Sequence, residues 1–270
     1  MNPRLQYELR GWAYWARCAN PFRDTITIHD LPLGLTLRAY KRDAVGRGLF
    51  RRKVHEPALT KYLMDRFASP GERHFIDVGA NLGYFTCLLS KLAGPGGRVL
   101  AVEPEPRNLR LLRKNVSINS LANVEIQPCA VGAGEGSVTL ALYRGANLGR
   151  HSIVDVVTED RIEVSVTTLD ALVGKFVGAV SSWSFAKIDV EGYEGLVIEG
   201  AKETLAQTET LFVEFSPSLQ KKAGGSPVAT LRILGAYFRR VYRMEGAEFV
   251  EMPLESSLRG DESVELIFER

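Results

Sequence analysis

Cysteine is scarce in this chain: its 270 residues hold three, Cys18, Cys87 and Cys129, with no C-x-x-C pair among them. An odd, unpatterned set excludes a disulfide framework and a redox dithiol, and reduced thiols point to a reducing, cytoplasmic compartment. No His/Cys cluster has zinc spacing. A surplus of charge is lacking too, since 34 basic side chains stand against 32 acidic ones, a net of +2. That is too even for a nucleic-acid partner. No apolar run approaches the roughly 18 residues of a membrane span, and no signal-peptide pattern opens the chain. Repeats and low-complexity tracts are absent as well.

What is present is organised around residues 75–86, FIDVGANLGYFT. Phe75-Ile76-Asp77-Val78 is a short apolar run ending at Gly79, the pattern of a buried parallel strand, and Tyr84, Leu88 and Ala93 then carry a helix. Gly79 and Gly83 let the backbone turn tightly and approach a ligand, and the free amides of the helix start favour an anionic group. A second strand, Arg98-Val99-Leu100-Ala101-Val102, ends at Glu103. That is the spacing at which an acid meets a ribose in a strand–helix–strand nucleotide unit. An ionised carboxylate accepts from both ribose hydroxyls at once.

A dinucleotide enzyme needs G-x-G-x-x-G, whereas this loop reads Asp77-x-Gly79-x-x-x-Gly83, with Asn81 where the second glycine would be required. The pyrophosphate fingerprint is missing. Asp77 would repel a pyrophosphate but suits an ammonium group, and the helix amides opposite suit a carboxylate. An amino acid joined to a nucleoside satisfies both, which describes S-adenosylmethionine. The structural alternative is a tight turn in which Asp77 caps the helix.

Along the rest of the chain, residues 5–18 place Leu5, Leu9, Trp12 and Ala16 at helical spacing, beside Tyr14 and Trp15 and with Arg4, Arg10 and Arg17 between them. This amphipathic helix is expected to cap the body or form a subunit contact, ahead of binding a membrane surface. A hairpin follows at Thr25-Ile26-Thr27-Ile28 and Leu35-Thr36-Leu37-Arg38. The basic stretch 38–53 reads as solvated surface, with a rim for an acidic substrate as the alternative. It leads into His55-Glu56-Pro57 and a helix ending near Phe67. After a crossover helix at 106–119, a third strand at 123–127 runs to Cys129 and Ala130. Both are small enough to lie along an adenine at the carboxyl edge of an open α/β sheet. Residues 132–184 read as an inserted set of antiparallel strands joined by the polar stretch 144–160, a candidate lid. Strands resume at 185–190 and 211–215, ending in Asp189, Glu191, Glu194 and Glu214, and the tail adds a helix at 228–238 and two or three short strands. The expected division is an N-terminal helix and hairpin over 1–54 and a nucleotide-binding α/β domain over 55–270.

Three motifs in order, DVGANLGYFT, AVEPEPRNLRLLRKNVSIN and KIDVEGYEGLVIEGA, resemble the FkbM family of S-adenosylmethionine-dependent methyltransferases across about 43–217. The resemblance implies a Rossmann-like, doubly wound, mostly parallel seven-stranded sheet and methyl transfer to a hydroxyl on a sugar, lipid or secondary metabolite. It places Asp77, Gly79, Ala80, Asn81, Gly83 and Thr86 at the methionine end, Glu103 and Pro104 at the ribose and adenine, and Ala130 at the adenine edge. Glu56, Phe85, Cys129 and Asp189 complete the expected cofactor set.

Methyl transfer is an in-line displacement in which positive charge leaves sulfur, so a carboxylate pressed against the sulfonium would stabilise the ground state rather than the transition state. A neutral hydroxyl must also lose its proton. Asp189 is the first candidate base, with Glu191 and His55 behind it and Glu194, Glu214 and Glu56 near the same edge; an alternative is that Asp189 only orders its loop while Lys187 pairs with Glu194. Asp189, Glu191 and Glu214 are also oxygen ligands of the type Mg²⁺ takes, but carboxylates at strand ends are common without metal, so Mg²⁺ is the less favoured reading. The partner is expected to be a small hydroxylated acceptor, with homo-oligomerisation left open.

Overall fold

The computed structural model describes residues 3–20, 24–142, 160–176, 180–258 and 261–270. Helix α1 (Pro3–Cys18) leads into an antiparallel hairpin of β1 (Thr25–Ile28) and β2 (Leu37–Tyr40), with Ile28 opposite Leu37. Asp43 then caps α2 (Ala44–Arg52), its carboxylate accepting from the Gly46 amide at 3.0 Å. Helix α3 (Pro57–Arg66) starts at a proline, whose missing donor costs nothing there.

The sheet and its helices follow in alternation. They are β3 (His74–Val78), α4 (Tyr84–Leu92), β4 (Arg98–Val102), α5 (Pro106–Ile118) and β5 (Val124–Gln127). After β6 (Ala130–Val131), β7 (Gly136–Ala141), β8 (Arg161–Thr167) and α6 (Leu169–Lys175), the alternation returns with β9 (Phe185–Ile188), α7 (Glu194–Glu199), α8 (Lys202–Ala206) and β10 (Thr210–Phe215). Helices α9 (Pro217–Lys222) and α10 (Pro227–Tyr237) precede β11 (Arg240–Glu245), β12 (Glu248–Met252) and β13 (Val264–Glu269).

The main sheet has the order β12-β11-β13-β10-β9-β3-β4-β5. Strands β5, β4, β3, β9 and β10 are parallel neighbours, and β13 pairs antiparallel to β10. Because β11 is antiparallel to β13, it runs with the parallel set. The sheet is therefore the doubly wound, mostly parallel one expected, with one correction: among the described residues it has eight strands, not seven. The tail turns at Gly246, in the left-handed region at φ +66°, and β12 folds back on β11 as an extra edge strand. The inserted sheet, order β6-β8-β7, is also not wholly antiparallel, since β8 pairs parallel with β6 and antiparallel with β7. The candidate lid at 144–160 lies, apart from Asp160, outside the described residues.

Strand alternation divides the core. Phe75 faces one cluster, with Leu88, Phe185 and Phe212, while Ile76 faces another, with Ile188, Val213 and Leu266. Tyr14, Ile28, Leu37 and Leu49 belong to the first cluster, so the N-terminal layer packs on that face of the sheet.

The chain leaves β3 for β4 and β5 on one side and reaches β9 and β10 on the other, so strand order reverses between β3 and β9. A crevice opens at such a point, off the carboxyl ends of the strands. Gly79 turns there at φ +81°, and a Cβ at that position would stand 1.8 Å from the Asp189 carbonyl oxygen. Gly79→Ala is therefore expected to destabilise the fold by about 2 kcal/mol or more, read as a fall in the urea midpoint with little change in slope.

Candidate functional site

The crevice at the switch point is an open cleft with a cavity volume of about 200 Å³. Two walls of different chemistry face each other across Gly79. One is built by Asn81, Glu103, Pro104 and Asn108 with the small residues Cys129 and Ala130, and the other by His55, Glu56, Asp189, Glu191, Tyr193 and Glu214.

Local backbone geometry fixes the first wall. Glu103 closes β4, and its carboxylate accepts from the Asn81 amide at 2.7 Å and the Glu105 amide at 2.9 Å. Asn81 adopts φ +51° to present that amide, and its side chain accepts from the Leu82 amide at 2.7 Å, the local bond that makes asparagine tolerable in this region. Burial raises the Glu103 carboxyl to about 7, although the two amide bonds act in the opposite direction. An ionised carboxylate has about four acceptor sites, so two backbone donors leave capacity for a ligand's hydroxyls.

The second wall is assembled by register across neighbouring strands. Asp77 on β3 lies opposite Lys187 on β9, and Glu214 on β10 lies opposite Glu265 on β13. Lys187 is almost wholly buried and donates to Asp189 at 2.7 Å. Burial alone would lower the Lys187 ammonium, but Asp189, then Asp77 and Glu56, overcome this and hold it charged. For Asp189 the balance is reversed: burial pushes its carboxyl up, and Lys187 together with a hydrogen bond donated by Glu214 brings it below the usual carboxylate range. Glu214 moves well upward, first through repulsion from Asp189 and then through burial, so it carries the proton of the pair. Glu265, raised to about 7 by burial and by its acidic neighbours, leaves one buried oxygen without a partner. His55 Nε2 lies 3.1 Å from Glu56 Oε1, and the imidazole sits edge-on to Tyr84 with ring centres 5.6 Å apart. Glu56 reaches this place from φ +39°, immediately before Pro57.

Of the residues expected at the site, His55, Glu56, Gly79, Asn81, Glu103, Pro104, Cys129, Ala130, Asp189, Glu191 and Glu214 line the cleft, while Asp77, Ala80, Gly83, Phe85 and Thr86 stand behind its wall. Asp77 is fully buried, accepts from the Thr86 hydroxyl at 2.5 Å and leaves Oδ1 without a partner. It neither faces the cleft directly nor caps α4, whose N-cap is Gly83. The suggested Lys187–Glu194 pair is replaced by Lys187–Asp189, because Glu194 turns inward and accepts from the Gly192 amide at 2.7 Å. Glu265, Tyr193 and Val45 were missed. They come from the far tail, a loop after β9 and α2, and no spacing in the sequence ties them to the glycine loop. Among the described residues no group of three or more His, Cys, Asp or Glu side chains is arranged to hold a metal ion.

Residues 77–249 match the family model described as the methyltransferase FkbM domain. A probable cobalt-precorrin-6B C(15)-methyltransferase (decarboxylating) of Sulfolobus acidocaldarius is 31% identical over 137 residues, 47% of this chain and 69% of that protein. The hexuronic acid methyltransferase AglP of Haloferax volcanii is 27% identical over 146 residues, 54% of this chain and 57% of AglP. Among solved structures, the methyltransferase FkbM of Methylobacillus flagellatus is similar at 15% identity and a TM-score of 0.45, over 84% of this chain and 56% of that one. The chain thus spans little more than half the length of AglP and of the Methylobacillus protein.

Glu103 and Glu194 are two of the buried carboxyls that make stability depend on pH. Glu103 is raised to about 7 and Glu194, also by burial, to about 8, whereas both would titrate at roughly 4.3 in the unfolded chain. Between these values the folded protein holds protons that the unfolded chain has lost, so the stability these two groups contribute is full below about pH 4 and is lost as pH rises through about 7 to 8. Urea midpoints of the wild type are expected to fall across that window. Glu194→Gln, which keeps an oxygen for the Gly192 amide, should flatten the fall; an unchanged slope in this variant would remove Glu194 as a cause.

Proposed function

This chain belongs to the FkbM family of methyltransferases, and on that premise we propose that it methylates a hydroxyl oxygen of a sugar, lipid or other small natural product with S-adenosylmethionine as donor. The observation that carries the proposal is the two-walled cleft: a ribose-type acid, Glu103, on one side of the glycine turn and a set of proton acceptors on the other. AglP, a hexuronic acid methyltransferase, supports a sugar-like acceptor.

The donor set fits the cofactor. Glu103 offers acceptor sites to a pair of hydroxyls, Pro104, Cys129 and Ala130 leave a flat apolar slot for a purine, and Asn81 with Gly79 borders the methionine end. When bound, S-adenosylmethionine supplies an electrophilic methyl group. The chain's own task on the second wall is to hold an acceptor hydroxyl in line and to take its proton. Lys187 bears on this in two ways. It keeps Asp189 ionised, and it cancels much of the negative charge that would otherwise favour a cation's ground state over the transition state. Asp189, being a weak base, takes the proton late, as the new oxygen–carbon bond forms. With Glu56 accepting from its Nε2–H, His55 presents Nδ1 as the second proton acceptor, and Glu191 borders the same space.

Calorimetry and turnover with a panel of hydroxylated acceptors and methyl-labelled cofactor test these roles. Glu103→Ala is expected to weaken S-adenosylmethionine binding by about 1–3 kcal/mol. Tight binding of a nicotinamide dinucleotide instead would overturn the cofactor assignment. Asp189→Asn is expected to lower kcat by roughly 10²-fold or more while sparing cofactor affinity. A larger loss in His55→Gln would move the proton acceptor to His55, and an equal loss of affinity in Asp189→Asn would make Asp189 a cofactor ligand.

A further inference from the structure

Helix α1 has two apolar faces, and the fold uses one. Tyr7, Gly11, Tyr14 and Cys18, spaced i, i+4, i+7 and i+11, turn toward the body; Tyr14 is 2% exposed, and the Arg51 guanidinium lies 3.8 Å from the centre of the Tyr7 ring. The opposite stripe repeats the same spacing with Leu5, Leu9, Trp12 and Ala16, with Trp15 beside it. It faces outward, with Leu5 52%, Leu9 49%, Trp12 76% and Trp15 62% exposed. Two tryptophans and two leucines on one solvent-facing stripe exceed the scattered apolar exposure of an ordinary surface.

Charge indicates what this stripe meets. The first 53 residues contain eleven Lys and Arg against four Asp and Glu, a surplus of seven positive charges, while the whole chain has a surplus of two. The remainder therefore carries five excess acids, and nearly all the basic bias sits in the layer that contains α1. Arg42, Arg47 and Arg52 are exposed in that layer, and α2 packs against α1. We propose that α1 lies in the plane of an anionic lipid surface, with its Leu5–Leu9–Trp12 stripe in the headgroup boundary and the exposed cations of the same layer, Arg42, Arg47 and Arg52, drawn to the lipid charge.

The physics favours this occupant over a second copy of the chain. Joining two copies through α1 would bring two layers of like charge together, whereas an anionic bilayer offers apolar depth and opposite charge at once. Tryptophan prefers that boundary, where an amphipathic ring is half dry and half wet. Sixteen helical residues span about 24 Å, less than a hydrocarbon core of about 30 Å, and among the described residues no helix is long and apolar enough to cross a membrane. The helix therefore lies on the surface. Val45 of α2 lines the cleft, so the docking layer also forms part of the wall around the proposed acceptor.

Vesicle flotation of the full chain tests the proposal, using phosphatidylcholine alone and phosphatidylcholine mixed with phosphatidylglycerol. Of the three tryptophans Trp183 is fully buried, so a change in emission reports Trp12 and Trp15. Flotation and a blue shift are expected only with the anionic vesicles, reversed by high salt. Leu9→Gln with Trp12→Gln, both exposed and replaced by a helix former, should weaken vesicle binding roughly tenfold or more with an unchanged circular dichroism spectrum. The proposal fails if the wild type does not float, if it floats equally with neutral vesicles, or if the double variant floats equally well. It also fails if light scattering finds a dimer that the variant abolishes while vesicles are ignored. None of these outcomes depends on the identity of the cofactor or the acceptor.

Discussion

A buried ammonium is the constraint on which this site depends. Lys187 sits inside the sheet where an unpaired charge would cost several kcal/mol, and Asp189 at 2.7 Å makes its burial tolerable. The consequences run outward through the neighbouring carboxyls. Asp77, Asp189, Glu214 and Glu265 lie on adjoining strands or at their ends, too close for all to ionise. Lys187 selects Asp189 as the charged member, Glu214 keeps the proton they share, and Asp77 is fixed from behind by Thr86. An acid-rich wall thereby sheds part of its negative charge while keeping Asp189 ionised at the cleft.

The two walls rest on forces of different range. Glu103, Asn81 and Glu105 form a compact set of backbone-to-carboxylate bonds within the first strand–helix–strand unit. The opposing wall depends on β9, β10 and β13 meeting in one register, with β13 arriving from the far end of the chain. The glycine turn joins them. Because Gly79 lacks a side chain, its backbone can pass beside the Asp189 carbonyl, and the cleft takes its width from that approach. A methyl donor and an acceptor need such a meeting of walls, one shaped for a nucleoside and one able to accept a proton.

The layer over the N-terminal face follows a separate logic. Its inward residues complete the core that Phe75 and Phe185 begin, while the outward stripe of Leu5, Leu9 and Trp12 stays exposed. Division of labour between the faces of one helix accounts for both the burial of Tyr14 and the exposure of Trp12.

Much was legible in the residues themselves. The apolar run ending at Gly79, the turn, the helix after it and Glu103 at the next strand end form a cassette under 30 residues long, where period and turn chemistry act between near neighbours. Family membership was equally plain from three short motifs. The partner of Lys187, the retreat of Asp77 behind the wall, the arrival of Glu265, the eighth strand and the sidedness of α1 were not legible. Each is decided by how distant strands and helices align and by what that alignment removes from water. Periodicity says that a residue is on a face, but only the packed neighbours determine which charge it meets and whether it keeps its proton.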